Sequence, residues 1–247
     1  MLEEKLFQLK LPAAASALKE QRSSTFEELS FEDRLELLLD KEISFRRNKQ
    51  LKQILLKAKL KYTNASIEEI DFSSARGLQK SFLIELAQND WINKHKNIII
   101  TGPTGVGKTF IACALANAAA RDFIPSLYVR FPRLLQELKV AKADGSYLKA
   151  LNKLSRLKLL VIDDFCLEAP DSTALRDILE LFEDRHQMSS TIITTQIPLD
   201  NWHECLGDPT IADAIMDRIV HNAYQIQLRG ESMRKIIARK NNTLTNS

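Results

Sequence analysis

From residue 97 onward, short apolar runs alternate with longer stretches in which apolar residues return every third or fourth position. The runs Asn97–Thr101, Ser126–Phe131, Leu159–Asp163, Thr191–Gln196 and Tyr224–Leu228 have the length of strands and are too short for helices. Between them, Lys108–Arg121, Arg133–Ala143, Leu148–Leu157 and Ser172–His186 read as helices. The last shows it most clearly, with Leu175, Ile178, Leu179 and Phe182 at i, i+3, i+4 and i+7. Alternation of this kind predicts an α/β core, a five-stranded parallel sheet flanked by helices.

The first sixty residues follow another pattern. Leu6 to Lys19 reads as a helix broken at Leu11-Pro12, where proline removes a donor and restricts its predecessor. Ser30 and Asp33 have the spacing of a capping box, after which Leu35, Leu38 and Leu39, then Leu51, Ile54, Leu55 and Ala58, recur at helical intervals. One or two basic amphipathic helices ending near Lys61 are expected, then a polar joint at Tyr62-Thr63-Asn64. The organisation predicted is a small helical appendage over residues 1–65 and an α/β domain over 66–247.

Charge sharpens that division. Acidic residues gather in Glu27, Glu28, Glu32, Asp33, Glu36 and Asp40, and then the sign flips. Residues 41–61 carry eight cations against Glu42 alone, a net of +7, so with a chain total of +3 the remainder sums to −4. A total near zero argues neither for nor against nucleic acid. With 45% hydrophobic and 27% charged residues, and only 7 Gly and 7 Pro in 247, the chain is neither collagen-like nor disordered. Cys113, Cys166 and Cys205 form no C-x-x-C pair, so neither a disulfide framework nor a zinc ribbon is expected, and the cytoplasm is the natural compartment. The opening MLEEKLFQLK, with two acids, does not read as a signal peptide, and the apolar run Phe110 to Ala120 is too short for a membrane span. His95, His186, His203 and His221 show no paired metal spacing.

The chemistry starts directly after the first apolar run of this half. Gly102-Pro103-Thr104-Gly105-Val106-Gly107-Lys108-Thr109 matches the G-x-x-x-x-G-K-[ST] phosphate loop at every specified position, with a strand before it and a helix after it. Glycines let backbone N–H groups converge on a polyphosphate, and the helix N-terminus adds its positive dipole end. The nucleotide-binding set is therefore Gly102 to Thr109 with Phe110. Lys108 is placed for the β and γ phosphates and Thr109 for Mg²⁺. A second carboxylate should end a buried strand, and Leu159-Leu160-Val161-Ile162-Asp163-Asp164 supplies it. Asp163 is the expected magnesium partner and Asp164 the expected general base for water attack on ATP. Many such ATPases carry the longer Glu at the second position.

With these pieces in place, the sequence resembles the AAA+ ATPases, and within them the IstB-like helper ATPases of insertion-sequence transposons, close to DnaC-type helicase loaders. GPTGVGKT at 102–109 and LLVIDDF at 159–165 are shared widely. TIITTQIP at 191–198, WHECLGDPTIADAIMDRIVHNA at 202–223 and GESMRK at 230–235 are much narrower, and LKLPAAASALKEQ looks like the family's opening helix. The resemblance implies a sensor-1 role for Gln196 beside the γ-phosphate, although Asn is commoner there, with Thr195 as the fallback. It implies that Arg218 is an arginine finger acting in trans on a neighbouring subunit's ATP, and that Arg234 is a sensor-2 arginine acting in cis. It further implies a homo-oligomer with ATP at its interfaces. Only 13 residues follow Arg234, so a reduced or absent helical lid is expected.

Two regions are candidates for partners. The basic segment 41–61 could meet phosphates, a partner protein or water, and the resemblance points to the transposase or a neighbouring subunit. Between the strand ending at Phe131 and the Asp163 strand, Arg133, Lys139, Lys142, Lys149, Lys153, Arg156 and Lys158 face only Glu137 and Asp144. This second stretch is the expected face for duplex DNA, bound through phosphates and largely blind to sequence. The leading reading is an ATPase that assembles on target duplex and recruits a transposase, with a DnaC-like helicase loader as the alternative. A P-loop kinase and a non-hydrolysing DNA scaffold are the readings from other classes.

Overall fold

Ile98, Ile99 and Ile100 are fully buried on both sides of β1 (Asn97–Thr101), the strand that carries the phosphate loop in this computed structural model. The structure describes residues 1–22, 26, 28–72 and 76–244, with the backbone alone for 237 and 240–244. Glu27 of the acidic cluster lies outside the described residues.

Four further strands follow: β2 (Ser126–Arg130), β3 (Leu159–Phe165), β4 (Ser190–Thr195) and β5 (Ala223–Gln227). They form one sheet in the order β2-β3-β4-β1-β5. Every pairing is parallel. Parallel strands bury both faces, which explains why these segments are continuous apolar runs rather than alternating ones. Ile98 and Ile100 point into one core with α6 (Lys108–Arg121), whose Ala112, Ala116 and Ala119 allow close approach to the sheet. Ile99 points into the other core, with α7 (Phe131–Ala143), α8 (Tyr147–Ser155) and α9 (Ser172–Arg185). The expected five-stranded α/β fold is observed. Element ends move by a few residues, since Phe131 opens α7 rather than closing β2, and β3 continues to Phe165.

Local chemistry accounts for the helix starts. Asp171 caps α9 by accepting from the N–H groups of Thr173 and Ala174. Asp208 does the same for α11 (Pro209–Ile219) through Ile211, with Pro209 at the first helical position. Periodicity did not single out α11, nor α4 (Lys80–Leu86), α5 (Asp90–Asn93) and α10 (Trp202–Leu206). After β5 the described chain adds a single helix, α12 (Met233–Leu244).

The chain divides into two compact units, residues 1–53 and 54–247. The division falls inside the 28-residue helix α3 (Phe31–Ala58) rather than at residue 65. Ala58, Leu60 and Ala65 belong to the α/β core with Ile111 and Leu115, which is why this part of the chain goes with the second unit.

In the first unit, α1 (Leu2–Gln8) and α2 (Pro12–Glu20) are separate helices, with Pro12 starting the second instead of merely breaking one. The N-terminal N–H groups of Ala13 and Ala14 donate to Glu42 Oε2 at 2.9 and 3.2 Å. Glu42 is the lone acid of the basic segment. Burial works against its charge, but the Arg46 guanidinium at 2.9 Å and the two N–H donors outweigh it and hold the carboxyl below its ordinary range. Ser30 caps α3 through Asp33 N at 3.1 Å, as its spacing predicts. Among the described residues, no helix is long and apolar enough to cross a membrane.

Candidate functional site

Parallel strands bring all five C-terminal ends to one edge of the sheet. β1 connects to α6 on one face, while its neighbour β4 connects to α10 on the other, and ligands bind at such a switch point in open α/β sheets. Gly102–Thr109, Asp163, Asp164 and Gln196 all converge there.

The loop after β1 is held by its own chain. Leu228 N donates to Thr101 O at 2.8 Å and Met233 N to Gly105 O at 2.9 Å, so the segment after β5 lies directly against it. A side chain at Gly102 would strike Leu228 O, and one at Gly105, where φ is +86°, would strike Ser232. Only glycine allows that approach. The GESMRK stretch is therefore part of the site in cis, with Arg234 exposed in the first turn of α12.

Lys108 is 6% exposed, yet among the described residues its ammonium donates to loop carbonyls alone, Gly102 O at 2.7 Å and Pro103 O at 2.9 Å. Burial lowers its pKa, against the opposing pull of Asp164 and Asp163. A buried cation on a backbone ring, at a helix N-terminus, fits a polyphosphate. Phe110 lies in the first turn of α6, and its ring packs on Tyr62 with centroids 5.8 Å apart.

Thr109 Oγ1 donates to Asp163 Oδ1 at 2.8 Å. Asp163 is fully buried, and its other oxygen accepts from Tyr128 Oη at 2.6 Å while Thr194 Oγ1 donates to Oδ1. Burial, then the Asp163 carboxylate, pushes the Tyr128 phenol well above its ordinary pKa, so it stays a proton donor. One hydroxyl and one carboxylate fit magnesium, which usually takes one or two protein ligands and completes its shell with phosphate and water. No cluster of three or more His, Cys, Asp or Glu able to hold a metal occurs among the described residues.

Asp164 sits where β3 loses register with β4, in a left-handed conformation with φ of 58°. For a residue other than glycine this is strained, and such strain gathers at functional positions. The carboxylate accepts from Arg130 Nε at 3.1 Å and Nη2 at 3.0 Å, and the backbone N–H donates to Thr194 Oγ1 at 3.2 Å. Gln196 Oε1 accepts from Thr104 Oγ1 at 2.6 Å, which ties the end of β4 to the loop. Thr195, the fallback, is turned to backbone instead, donating to Phe165 O at 2.9 Å.

Four residues of this site escaped sequence reasoning: Tyr128, Arg130, Thr194 and Arg76. Arg130 is directly opposite Asp163 in the β2–β3 register. A tyrosine inside the apolar run Ser126–Phe131 was the available signal. Arg76 is 4% exposed and donates to Val106 O at 3.0 Å, bracing the loop from behind. It lies in the stretch that precedes the phosphate loop, of which residues 73–75 lie outside the described residues.

Arg218 is elsewhere. It lies in the last turn of α11, next to Ile219, whose carbonyl accepts from Asn97 Nδ2 at the start of β1. That is the edge of the sheet opposite the phosphate loop, about 15 Å away along β1. Its guanidinium donates to Glu183 at 3.2 Å and Asp217 at 3.3 Å.

The expected DNA residues separate into two groups. Arg133 pairs with Glu137 at 2.9 Å, and Lys142 pairs with the nearly buried Asp177 beneath the Tyr147 ring. Lys139 lines a groove shared with Glu168 and Asp171, and its charge helps keep the Asp171 carboxyl below its usual range, after the Ala174 N–H bond that dominates there. Lys149 instead faces a concavity of about 560 Å³ with Lys153 and Arg156, lined by Asn152 and Leu157 and no acid.

Comparison with known proteins gives the family and the fold. Over 238 residues the chain is 44% identical to an insertion sequence ATP-binding protein of Sinorhizobium fredii, covering 96% of this chain and 97% of the relative. It is 43% identical over 194 residues to an insertion sequence ATP-binding protein of Pseudomonas fluorescens, covering 78% and 84%. Among solved structures, DnaI superposes with a TM-score of 0.58 at 24% identity over 72% of this chain and 93% of that one. DnaA bound to AMPPCP and single-stranded DNA gives 0.59 at 16% identity, covering 74% and 55%. Such identities speak for the fold alone, which is that of the AAA+ ATPases. A family model described as IstB-like ATP binding protein matches residues 4–241, and the chain belongs to that family of insertion-sequence ATP-binding proteins.

Proposed function

We propose that this protein is an ATPase that assembles with itself on duplex DNA, presents that DNA to a cognate transposase, and is reset by hydrolysis. The observation that carries the reading is the position of Arg218. An arginine at the sheet edge opposite its own phosphate loop cannot reach the nucleotide in cis, and a second copy packed edge to loop brings it there. A planar guanidinium matched to a γ-phosphate then makes ATP part of the contact between subunits.

Each side chain at the loop has a defined task. Lys108 exchanges the carbonyls of Gly102 and Pro103 for the β and γ phosphates. Thr109 and Asp163 would hold a magnesium ion, which when bound would supply positive charge to offset that of the phosphates. Tyr128 and Thr194 orient Asp163. Asp164 accepts the proton of the attacking water, with Arg130 fixing one of its oxygens. Gln196 and Thr104 place that water from the end of β4, and Arg234 covers the phosphates from the segment lying on Gly105.

The relatives are named for insertion sequences, which supports a transposase as the partner. Duplex DNA is assigned to α8 rather than α7, because Arg133 and Lys142 already have carboxylate partners whereas Lys149, Lys153 and Arg156 share an acid-free concavity. Sequence-blind phosphate contacts predict strong salt dependence. Lys149→Glu combined with Lys153→Glu is expected to weaken duplex binding by about 10²-fold at moderate salt and to flatten the salt slope by about two counterions. ATP affinity should not change. Fluorescence anisotropy of a labelled duplex across a salt series measures both, and unaltered duplex binding would remove α8 from the DNA face.

A further inference from the structure

Arg185, the last residue of α9, is 1% exposed, and no carboxylate among the described residues pairs with it. Burial alone pushes its pKa down to about 9, which still leaves it charged at neutral pH. Each of its three nitrogens donates to the chain around it. Nη1 donates to Leu154 O at 2.7 Å and Leu157 O at 2.9 Å, Nη2 to Ser190 O, and Nε to Thr191 Oγ1 at 3.0 Å. Leu154 lies in the last turn of α8, where carbonyls have no helical partner and the dipole end is negative, so a cation satisfies both needs.

The same turn of α9 also holds Arg218. Glu183 Oε1 accepts from Arg218 Nη2 at 3.2 Å, and His186 Nδ1 lies 3.2 Å from Arg218 O, the geometry of a ring N–H donor. Residues 183–186 therefore touch the helix that bears Lys149, Lys153 and Arg156 on one side and the arginine offered to a second copy on the other.

We propose that the last turn of α9 couples phosphate contacts on α8 to the placement of Arg218, with Arg185 as the positioning residue that locks the two together. The inference rests on the duplex-binding reading above. Its physical basis is a difference in stiffness. A buried guanidinium cannot release its carbonyls without leaving charge and acceptors unsatisfied, so the end of α8, the last turn of α9 and the start of β4 shift as one body. At the other end the contacts are loose. The Arg218 side chain is 31% exposed and held by Glu183 and Asp217, themselves 49% and 62% exposed, and surface pairs of this kind exchange readily for a better anion. A small displacement of α8 on binding phosphates is thus delivered to the backbone carbonyl and the side-chain partner of Arg218.

The test uses the full chain and two variants. His186→Ala removes one half-buried contact to Arg218, and Arg185→Lys keeps the charge but loses the fork that bridges several carbonyls. Duplex affinity is measured by anisotropy, and ATP hydrolysis with and without a saturating unlabelled duplex. For both variants the expected result is unchanged duplex affinity and unchanged hydrolysis without DNA, with the duplex-induced change in rate reduced about five-fold or more. A merely structural role would not alter that ratio while sparing affinity. If Arg185→Lys fails to fold, His186→Ala carries the test alone. A full duplex response in the folded variants would overturn the coupling. So would wild-type protein that binds duplex without any change in hydrolysis. Wild-type protein that binds no duplex would overturn the function proposed above, and this inference with it.

Discussion

Arg218→Ala is expected to lower ATP turnover of the assembled protein by about 10³-fold or more, while a dilute protomer still binds nucleotide. The expectation follows from the architecture of the sheet. Asn97 at the start of β1 holds Ile219 O, and the phosphate loop begins only after Thr101 at the far end, so the wild-type side chain contributes nothing to its own protomer's site. Within its own chain Arg218 meets Glu183 and Asp217 at the surface, and exposed pairs of that kind contribute roughly 0–1 kcal/mol, so the variant should fold normally. Turnover per protomer should rise steeply with protein concentration in the wild type and stay flat in the variant. Equal activity of the two proteins at every concentration would rule out an arginine supplied by a second copy.

Asp164→Asn is the second large effect. Asn is nearly isosteric, so Arg130 keeps an oxygen to donate to and the backbone N–H still reaches Thr194, but the side chain can no longer take a proton. Turnover is expected to fall by about 10²–10⁴-fold with ATP affinity within a few-fold of wild type. Asp163→Asn should differ, since it cuts into the set proposed to hold magnesium and disturbs the bonds to Thr109, Tyr128 and Thr194. Nucleotide titration with and without magnesium, followed by steady-state turnover, separates the two. If Asp164→Asn turns over normally, the strained carboxylate at the end of β3 serves the bulge and not the chemistry.

What could be read from the sequence has a common physical basis: it depends on local chemistry. Gly102 and Gly105 are demanded by backbone approach, Asp163 by its place at the end of an apolar strand, and the strands by runs that need burial on both faces. What could not be read depends on which strands become neighbours. Tyr128 and Arg130 act on Asp163 and Asp164 only because β2 pairs with β3, and Thr194 only because β4 pairs on the other side. No spacing along the chain reveals that order. Lys142 shows the same limit from the other direction, because the carboxylate that engages it, Asp177, is in another helix. Glu42 reads as an anomaly in a basic run until α2 is seen to start on it. Arg185 reads as the basic end of an amphipathic helix, and its burial follows from the carbonyls that α8 and β4 bring to it.

The central claim is that ATP joins copies of this chain on duplex DNA through Arg218. Sedimentation of the purified protein with a slowly hydrolysed ATP analogue, with and without duplex, tests it most directly. Large assemblies are expected that require both nucleotide and duplex and that disappear in Arg218→Ala. A protein that sediments as a monomer under every condition would contradict it.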